Sequence, residues 1–233
     1  MEIAHLVPTS LLDYPDRVAA VLFTVRCNFR CPFCHNPELV LPERVRELRL
    51  LAPDEVLTFL AERRGFLDGL VLTGGEPTLQ PDLREFVAEV KRLGLLVKLD
   101  TNGSRPDVLE DLLAAGLVDY VAMDVKAPLS RYSELVGVPV DRSAIGRSIR
   151  LVRERAPDYE FRTTVAPALG FEDITTIARE MSGSRRYILQ PFVVPQGKTL
   201  IDPAWGEMAA LSGPELEAVW ERIGREFLGG GVR

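Results

Sequence analysis

Runs of apolar residues alternate along the chain with stretches in which apolar residues recur every three or four positions. Six short runs rich in Val, Leu and Ile are typical of β-strands that are covered on both faces. They begin at Val18, Leu70, Leu95, Tyr120, Phe161 and Tyr187. The stretches between them have the spacing of helices with one buried face, as at Leu83, Phe86, Val87 and Val90.

Strand-then-helix units in succession predict a parallel sheet with right-handed crossovers and helices outside it. A closed eight-stranded barrel typically needs about 250 residues, and this chain has 233. The predicted fold class is therefore α/β: an open partial (β/α)6 barrel, TIM-like, of parallel strands with outer helices. We expect a single domain over residues 1–233. Ser212, Pro214 and Glu215 predict a final helix over about 213–228, and the glycines after it a loose tail.

Composition and charge narrow the classes of protein. The chain is 46% apolar and has 28 basic and 34 acidic residues, which gives a net charge of −6. No block of Lys and Arg is of the kind that follows a phosphate backbone, so nucleic acid and anionic membranes are not expected partners. No apolar run approaches the ~20 residues that cross a bilayer, and no leader segment is recognisable. We expect a cytoplasmic protein.

Polar residues gather where the predicted strands end. They are Gly74, Gly75 and Glu76 after the second strand, Asp100, Thr101 and Asn102 after the third, Asp124 and Lys126 after the fourth, Thr163 and Thr164 in the fifth, and Gln190 in the sixth. Each group taken alone fits an ordinary turn or a structural ion pair. The carboxyl ends of parallel strands meet at one edge, where barrel active sites form. Because all these groups are expected at the same edge, a functional site is favoured over a set of unrelated turns and ion pairs.

The three cysteines, Cys27, Cys31 and Cys34, lie together just after the first predicted strand. Three thiols so close in sequence do not make a disulfide framework, so we expect a reducing compartment. With His35 they could bind zinc, but adjacent side chains diverge, and structural zinc sites usually draw a second ligand pair from another segment. An iron–sulfur cube fits better, because each thiolate binds one iron and the fourth iron stays open to a ligand. A purely electron-transferring cluster would need a fourth protein ligand.

These motifs resemble a known family. The loop CNFRCPFC (residues 27–34), GGEP after the second predicted strand and DTNG after the third resemble the radical S-adenosylmethionine (SAM) enzymes over nearly the whole chain. The resemblance implies a six-unit partial barrel and a [4Fe–4S] cluster on Cys27, Cys31 and Cys34, with SAM on the open iron. It also implies an oxidoreductase that cleaves SAM reductively to methionine and a 5′-deoxyadenosyl radical.

The resemblance further implies which residues contact SAM. They are Phe33, Gly74, Gly75, Glu76, Asp100, Thr101, Asn102, Asp124, Lys126, Thr164, Val165 and Gln190. The Gly-Gly-Glu backbone matches the segment that binds the methionyl amine, because glycine lets the chain approach the ligand closely. Asp124 and Lys126 match a strand end near the carboxylate of SAM. Asp100, Thr101 and Asp124 match positions that hold a monovalent cation in some members.

CHNPEL at residues 34–39 and DYP at residues 13–15 resemble the activating enzymes of glycyl radical enzymes. They are most similar to the activating proteins of anaerobic ribonucleoside-triphosphate reductases, and next to those of pyruvate formate-lyase. The resemblance implies an anaerobic enzyme that takes a hydrogen from a glycine of a partner protein, with flavodoxin or ferredoxin as electron donor. Asp13, at the rim of the mouth, His35 and Asn36 are the expected partner contacts.

One alternative within the same family is a radical SAM enzyme that acts on a small molecule, such as 7-carboxy-7-deazaguanine synthase. Those proteins usually have Asp-Thr after the last cysteine, where this chain has His35 and Asn36. A zinc-binding module and an electron-transfer protein are the alternatives outside the family. Anaerobic reconstitution would distinguish a zinc-binding module from an iron–sulfur protein, because a zinc protein is colourless.

Overall fold

Eight strands form one sheet in the order in which they follow one another along the chain. The computed structural model describes residues 1–233. The strands are β1 (Ile3–Ser10), β2 (Ala19–Thr24), β3 (Gly69–Gly74), β4 (Leu96–Thr101), β5 (Tyr120–Asp124), β6 (Tyr159–Val165), β7 (Arg186–Pro191) and β8 (Gly229–Val232). β1 pairs antiparallel with β2, and all later pairs are parallel. β1 and β8 end the order without pairing to each other, so the sheet is an open partial barrel, as predicted.

Helices connect the parallel strands. They are α1 (Pro37–Val40), α2 (Pro42–Val45), α3 (Pro53–Glu62), α4 (Leu83–Arg92), α5 (Pro106–Ala114), α6 (Tyr132–Val136), α7 (Arg142–Arg155), α8 (Phe171–Glu180) and α9 (Gly213–Ile223). Proline occupies the first turn of several of them, where its missing N–H costs no hydrogen bond. No helix combines the length and the apolar character needed to cross a membrane.

The six predicted strands correspond to β2–β7, while the two outermost strands were not predicted. β8 corrects the expectation of a loose glycine tail, since it pairs in parallel with β7. Its glycines allow a close approach: a Cβ on Gly230 would lie 2.0 Å from the carbonyl oxygen of Tyr187 and 2.7 Å from the ring of Trp220. Gly230 also has a φ of 135°, which disfavours other residues.

The two faces of the sheet are covered differently. Strand residues that point to the helices join a single core of 47 buried apolar residues. The opposite face carries a small apolar cluster that includes Tyr14, Val21 and Tyr120. The Tyr14 and Tyr120 rings lie 5.8 Å apart near the amino-terminal ends of the strands. Alternate strand residues thus serve the two faces, as the pleat requires.

The segment around Asp13 lies at the edge of the sheet opposite to the predicted site. β1 ends at Ser10, which pairs with Ala19 at the start of β2, so residues 11–18 connect the strands at the amino-terminal edge. This position corrects the prediction that Asp13–Pro15 forms the rim of the mouth. The antiparallel β1 explains the difference. It runs from the carboxyl edge to the amino-terminal edge, so the chain is already at the amino-terminal edge when it reaches residues 11–18.

Candidate active site

The cysteine loop, residues 27–34, leaves the carboxyl end of β2 and runs without regular secondary structure toward α1. All three thiols are free, and all three line one cavity. The backbone N–H of Cys34 donates to the carbonyl of Cys31 at 3.0 Å. The guanidinium of Arg30 donates to the carbonyls of Cys27 (2.6 Å) and Phe29 (2.7 Å). Hydrogen bonds within the loop, from its backbone and from the Arg30 side chain, therefore help to fix its shape.

A segment from near the end of the chain covers this loop. We call residues 193–206 the strap; it follows β7. The N–H groups of Ile201 and Asp202 donate to the carbonyls of Cys34 (3.3 Å) and Pro32 (3.0 Å). The ring of Trp205 lies 5.8 Å from the ring of Phe33. Nothing in the local sequence of the strap predicts this contact, because it joins distant parts of the chain.

The cavity opens at the carboxyl ends of the strands and encloses about 840 Å³, counting the space in its mouth. The predicted residues that line it are Cys27, Cys31, Phe33, Cys34, His35, Asn36, Gly74, Gly75, Glu76, Asp100, Thr101, Asn102, Asp124, Lys126 and Thr164. Three further residues that were not predicted also line it: Phe29, Val40 and Thr73. The predicted residues thus converge on one edge of the sheet.

Val165 and Gln190 do not line the cavity. Val165 follows the lining residue Thr164 in β6, and successive strand side chains point to opposite faces. Its side chain is fully buried in the core instead. Gln190 pairs with Thr164 across β6 and β7 but stays outside the lining. The predicted contacts of these two residues with the adenine of SAM remain predictions.

Glu76 joins the ends of β3 and β4. Its buried carboxylate accepts hydrogen bonds from the backbone and hydroxyl of Thr78, from the Thr101 hydroxyl at 2.8 Å and from the Asn102 N–H at 2.7 Å. Burial raises the pKa of Glu76, and the four hydrogen bonds act in the opposite direction. Both carboxylate oxygens are thus used within the protein, so the side chain organises the site, and only the backbone of this segment is left to meet a ligand.

Gly74 and Gly75 are required by the protein's own packing. A Cβ on Gly74 would lie 2.4 Å from the carbonyl oxygen of Thr24, and one on Gly75 would lie 2.1 Å from that of Arg26. The N–H groups of Gly75 and Glu76 donate to these same carbonyls, at 2.9 and 2.8 Å. The glycines therefore let the end of β3 lie directly against the chain that enters the cysteine loop. The close approach of these glycines to SAM remains a prediction, while the close approach that the structure shows is to the neighbouring backbone.

Arg162, in β6, is the central charge below the cavity. It was not among the site residues predicted from the sequence. Its guanidinium donates to Asp124 at 2.9 Å and to Asp100 at 3.2 Å. Lys98 donates to the other oxygen of Asp100, and Lys126 donates to Asp124 at 3.0 Å. The result is an alternating chain of charges across β4, β5 and β6. The guanidinium stands between the two aspartates that were predicted to hold a monovalent cation.

The charges of this network stabilise one another. Burial alone would raise the pKa of Asp124, but the guanidinium of Arg162 and the ammonium of Lys126 hold it well below its usual range. Burial would lower the pKa of Lys126, and the Asp124 carboxylate more than reverses that effect. Both groups are therefore charged at neutral pH. The cavity wall presents a fixed carboxylate and a fixed ammonium side by side.

The thiols fit a metal cluster better than a single ion. Burial raises the pKa of Cys27 to about 11 and that of Cys31 to about 12, so they stay protonated until a metal displaces the proton. The positive charge of Lys126 acts against this shift. No three Cys, His, Asp or Glu side chains meet closely enough to hold one metal ion. A cluster does not require three side chains to reach the same metal ion, because each thiolate binds a different iron.

His35 follows the last cysteine and lies half-buried at the cavity. Its ring stacks on Phe192 at 5.5 Å with an interplanar angle of 18°. Burial lowers the pKa of His35, and the charges of Lys126 and Lys198 act in the same direction. Its Nε2 atom is buried without a hydrogen-bond partner in the protein. A buried polar atom of this kind is available to a ligand or an ordered water.

Comparison with known proteins agrees with this arrangement. Residues 21–181 match the radical SAM superfamily. The chain is 36% identical to a protein of Methanocaldococcus jannaschii that carries the provisional name of a glycyl-radical enzyme activating enzyme, over 82% of this chain and 79% of that protein. It is 38% identical to the 7-carboxy-7-deazaguanine synthase of Methanopyrus kandleri, over 44% of this chain and 46% of that protein.

Among solved structures, Streptococcus suis SuiB bound to S-adenosylmethionine has a similar fold, with a TM-score of 0.70 at 15% identity. The similarity covers 91% of this chain and 49% of SuiB, so the chain spans about half the length of that protein. The superfamily match covers the strands that carry the cysteine loop, Glu76, Asp100 and Asp124. The chain therefore belongs to the radical SAM superfamily.

Proposed function

We propose that this radical SAM enzyme activates a glycyl radical enzyme by removing a hydrogen atom from the Cα of one glycine of that protein. The observation that carries the proposal is the 36% identity, over 82% of the chain, to the M. jannaschii relative with that name. The His35–Asn36 pair after the last cysteine, which resembles the activating enzymes, supports the same assignment.

Three thiols would hold the cofactor. When bound, a [4Fe–4S] cluster and SAM supply a 5′-deoxyadenosyl radical by one-electron reduction of SAM. Cys27, Cys31 and Cys34 are the proposed cluster ligands, because they are free and share one cavity. Phe33, packed beneath Trp205, would keep water from one side of the loop. An accessible iron is sensitive to oxygen, so we expect the enzyme to work under anaerobic conditions.

The opposite wall suits the amino-acid end of SAM, which carries both an amine and a carboxylate. The carbonyl oxygens of Gly74 and Gly75 would accept from the amine, and Lys126 would pair with the carboxylate. Asp124 and Lys126 already present charges of both signs to the cavity, and Arg162 keeps Asp124 ionised. Asp100 and Asn102 would meet the ribose, and Thr164 would lie near the adenine.

Arg162 binds two of the residues that were predicted to hold a monovalent cation. Its guanidinium already supplies positive charge to Asp100 and Asp124, and the hydroxyl of Thr101 donates to Glu76. The cation therefore stays a prediction that the proposed mechanism does not need. We also propose that residues 1–233 act as one domain, because a single sheet contains every strand.

An anaerobic incubation tests the proposal. The reconstituted enzyme is mixed with SAM, dithionite and a purified anaerobic ribonucleotide reductase or pyruvate formate-lyase, and electron paramagnetic resonance records the product. A glycyl radical doublet is expected with one of these proteins. The Cys31→Ala enzyme, which should bind less iron, and a partner whose radical glycine is replaced by Ala should both give no doublet. SAM cleavage without a glycyl radical on any candidate would contradict the proposal.

The second candidate is a radical SAM enzyme that acts on a small molecule. The 38% identity to the M. kandleri 7-carboxy-7-deazaguanine synthase favours it, although that similarity covers only 44% of the chain. The same assay separates the two: a small-molecule enzyme would form a low-molecular-weight product with the synthase substrate and would leave the partner proteins unmodified.

A further inference from the structure

The sequence does not show where an electron donor binds, but the structure contains a second cavity beside the cysteine loop. We call it the arginine pocket; its lining consists of Arg26, Cys27, Arg30, Val40, Pro42, Val45 and Arg46. Three of these seven residues are arginines, and none is acidic. The pocket is therefore strongly basic, although the whole chain has a net charge of −6.

The arginine pocket adjoins the active-site cavity. Cys27 and Val40 line both. Cys27 is a proposed ligand of the cluster, so a protein seated on the arginine pocket would touch a residue bonded to iron. It would do so from outside the cavity that SAM and the glycine must enter. The fold thus offers separate approaches to the cluster and to the site of hydrogen abstraction.

Two of the three arginine charges of the pocket are available to a partner. Neither Arg30 nor Arg46 has a carboxylate oxygen within 4.0 Å, whereas Arg26 pairs with Glu2. Arg30 is fixed by its hydrogen bonds to the carbonyls of Cys27 and Phe29, so its charge stays beside the loop. Arg46 is exposed and follows directly after α2. Glu43 and Glu47 flank this segment but do not line the pocket.

Building on the proposed function, we infer that the arginine pocket is the docking site of an acidic one-electron carrier protein with a flavin or iron–sulfur centre. One electron would leave the reduced carrier and enter the cluster that Cys27, Cys31 and Cys34 would hold. The carrier would be oxidised by one electron and the cluster reduced by one, with no proton or bond transferred. Opposite charges steer such encounters and make their rate depend on salt.

Size and location favour an electron carrier over the glycine-bearing partner at this pocket. Electron-transfer complexes have some of the smallest protein interfaces, so a small basic patch suffices. The glycine, by contrast, must enter the main cavity, because hydrogen abstraction requires direct contact between the reacting atoms. The other proposed SAM contacts, among them Gly74, Asp124 and Lys126, line the main cavity and not the arginine pocket, so the reacting atoms would meet in the main cavity.

A charge reversal at Arg46 tests the inference. Binding of a purified flavodoxin and of a purified ferredoxin is measured by calorimetry at low ionic strength, with cluster-free and with reconstituted protein. We expect Arg46→Glu to raise the Kd of the carrier that serves this enzyme by about tenfold, and to flatten its dependence on salt. Arg64→Glu is the matched control, because Arg64 is also exposed and unpaired but precedes β3 at the opposite edge. The Kd of the carrier for the Arg64→Glu protein should stay within about twofold of its Kd for the unmodified protein.

A kinetic ratio separates failure of this inference from failure of the proposed function. SAM cleavage is driven either by the carrier or by dithionite, which needs no docking site. The ratio of carrier-driven to dithionite-driven cleavage should fall with Arg46→Glu and stay constant with Arg64→Glu. Equal effects of the two variants, or weaker binding of the glycyl radical enzyme in place of the carrier, would overturn the docking site. Absence of dithionite-driven cleavage in the unmodified enzyme would instead refute the proposed function.

Discussion

Arg162 shows how a single residue determines the charges of the site. Carboxylate oxygens of Asp124, Asp100 and Glu160 lie 2.9, 3.2 and 3.9 Å from its guanidinium. With a side chain only 13% exposed, it neutralises carboxylates that would be costly to bury alone. Its place in the short run FRTTV gives no sign of this role, because the partners come from neighbouring strands. The local sequence therefore could not predict it.

Asp124 is expected to affect SAM more than the cluster. In Asp124→Asn the neutral amide no longer attracts the amine of SAM and holds Lys126 less firmly in place. The Kd for SAM should therefore rise by about tenfold, while iron per chain stays unchanged. Anaerobic calorimetry and iron analysis check the two values. Glu160→Gln is the matched control, because Glu160 also contacts Arg162 but does not line the cavity. Unchanged SAM affinity in Asp124→Asn would refute the role.

The meeting of the three cysteines at one cavity, in contrast, could be predicted, because they lie within eight residues of one another. Such spacing favours a metal site. The contacts of Gly74, Gly75 and Glu76 within the protein were not predicted. Their motif is visible in the sequence, but the atoms they pack against belong to Thr24, Arg26 and Asn102. Those contacts follow from the pairing of strands.

At the scale of elements, Glu76 determines how the ends of β3 and β4 fit together. In Glu76→Gln either orientation of the amide turns its NH2 group toward a backbone N–H, that of Thr78 or that of Asn102. We expect the free energy of unfolding to fall by about 2 kcal/mol, because a buried N–H loses its acceptor. Denaturant titration measures this value. Glu55→Gln, at an exposed helix start, is the control and should change it little.

A comparable prediction concerns β8. Gly230→Ala would drive a Cβ into the carbonyl of Tyr187, so β8 should separate from β7 and the melting temperature should fall by several degrees. Gly229→Ala is the matched control, since its nearest atoms lie 3.7 Å away and leave room for a methyl group. Thermal unfolding of the two variants provides the comparison. Equal melting temperatures would show that β8 does not need this close approach.

Strands differ in how far the sequence could predict them. β2–β7 are buried on both faces, and their continuous apolar runs made them recognisable. β1 is half-exposed at one edge, and β8 consists mainly of glycine at the other. The apolar run of β1 is interrupted by His5 and Pro8, and β8 lacks β propensity because it is mainly glycine. Their pairing depends on the neighbour already in place, which the local sequence does not reveal.

At the scale of the whole molecule, the two edges of the sheet are built for different tasks. The amino-terminal edge is filled by Tyr14 and Tyr120. The carboxyl edge carries the open cavity and is partly covered by the strap. This asymmetry follows the general plan of parallel barrels, which form their sites on one side and their structural core on the other.

The strap should protect the cluster from oxygen. Trp205→Ala removes the ring that packs on Phe33, so we expect the reconstituted protein to lose its colour in air several times faster, at unchanged anaerobic iron content. Absorbance followed after exposure to air measures the rate. Met208→Ala, an exposed residue just beyond the strap, is the control and should bleach at the normal rate. Equal rates would show that the strap leaves oxygen access unchanged.

The strap also bears on the time at which the cluster can be inserted. Because sheet neighbours are also sequence neighbours, strands can add one after another as the chain leaves the ribosome. The cysteine loop follows the second strand, but Ile201 and Asp202, which bind its carbonyls, are synthesised far later. For most of translation the three thiols are therefore present without their cover. The loop is therefore expected to be open to iron before the strap closes over it, so the strap covers the site last.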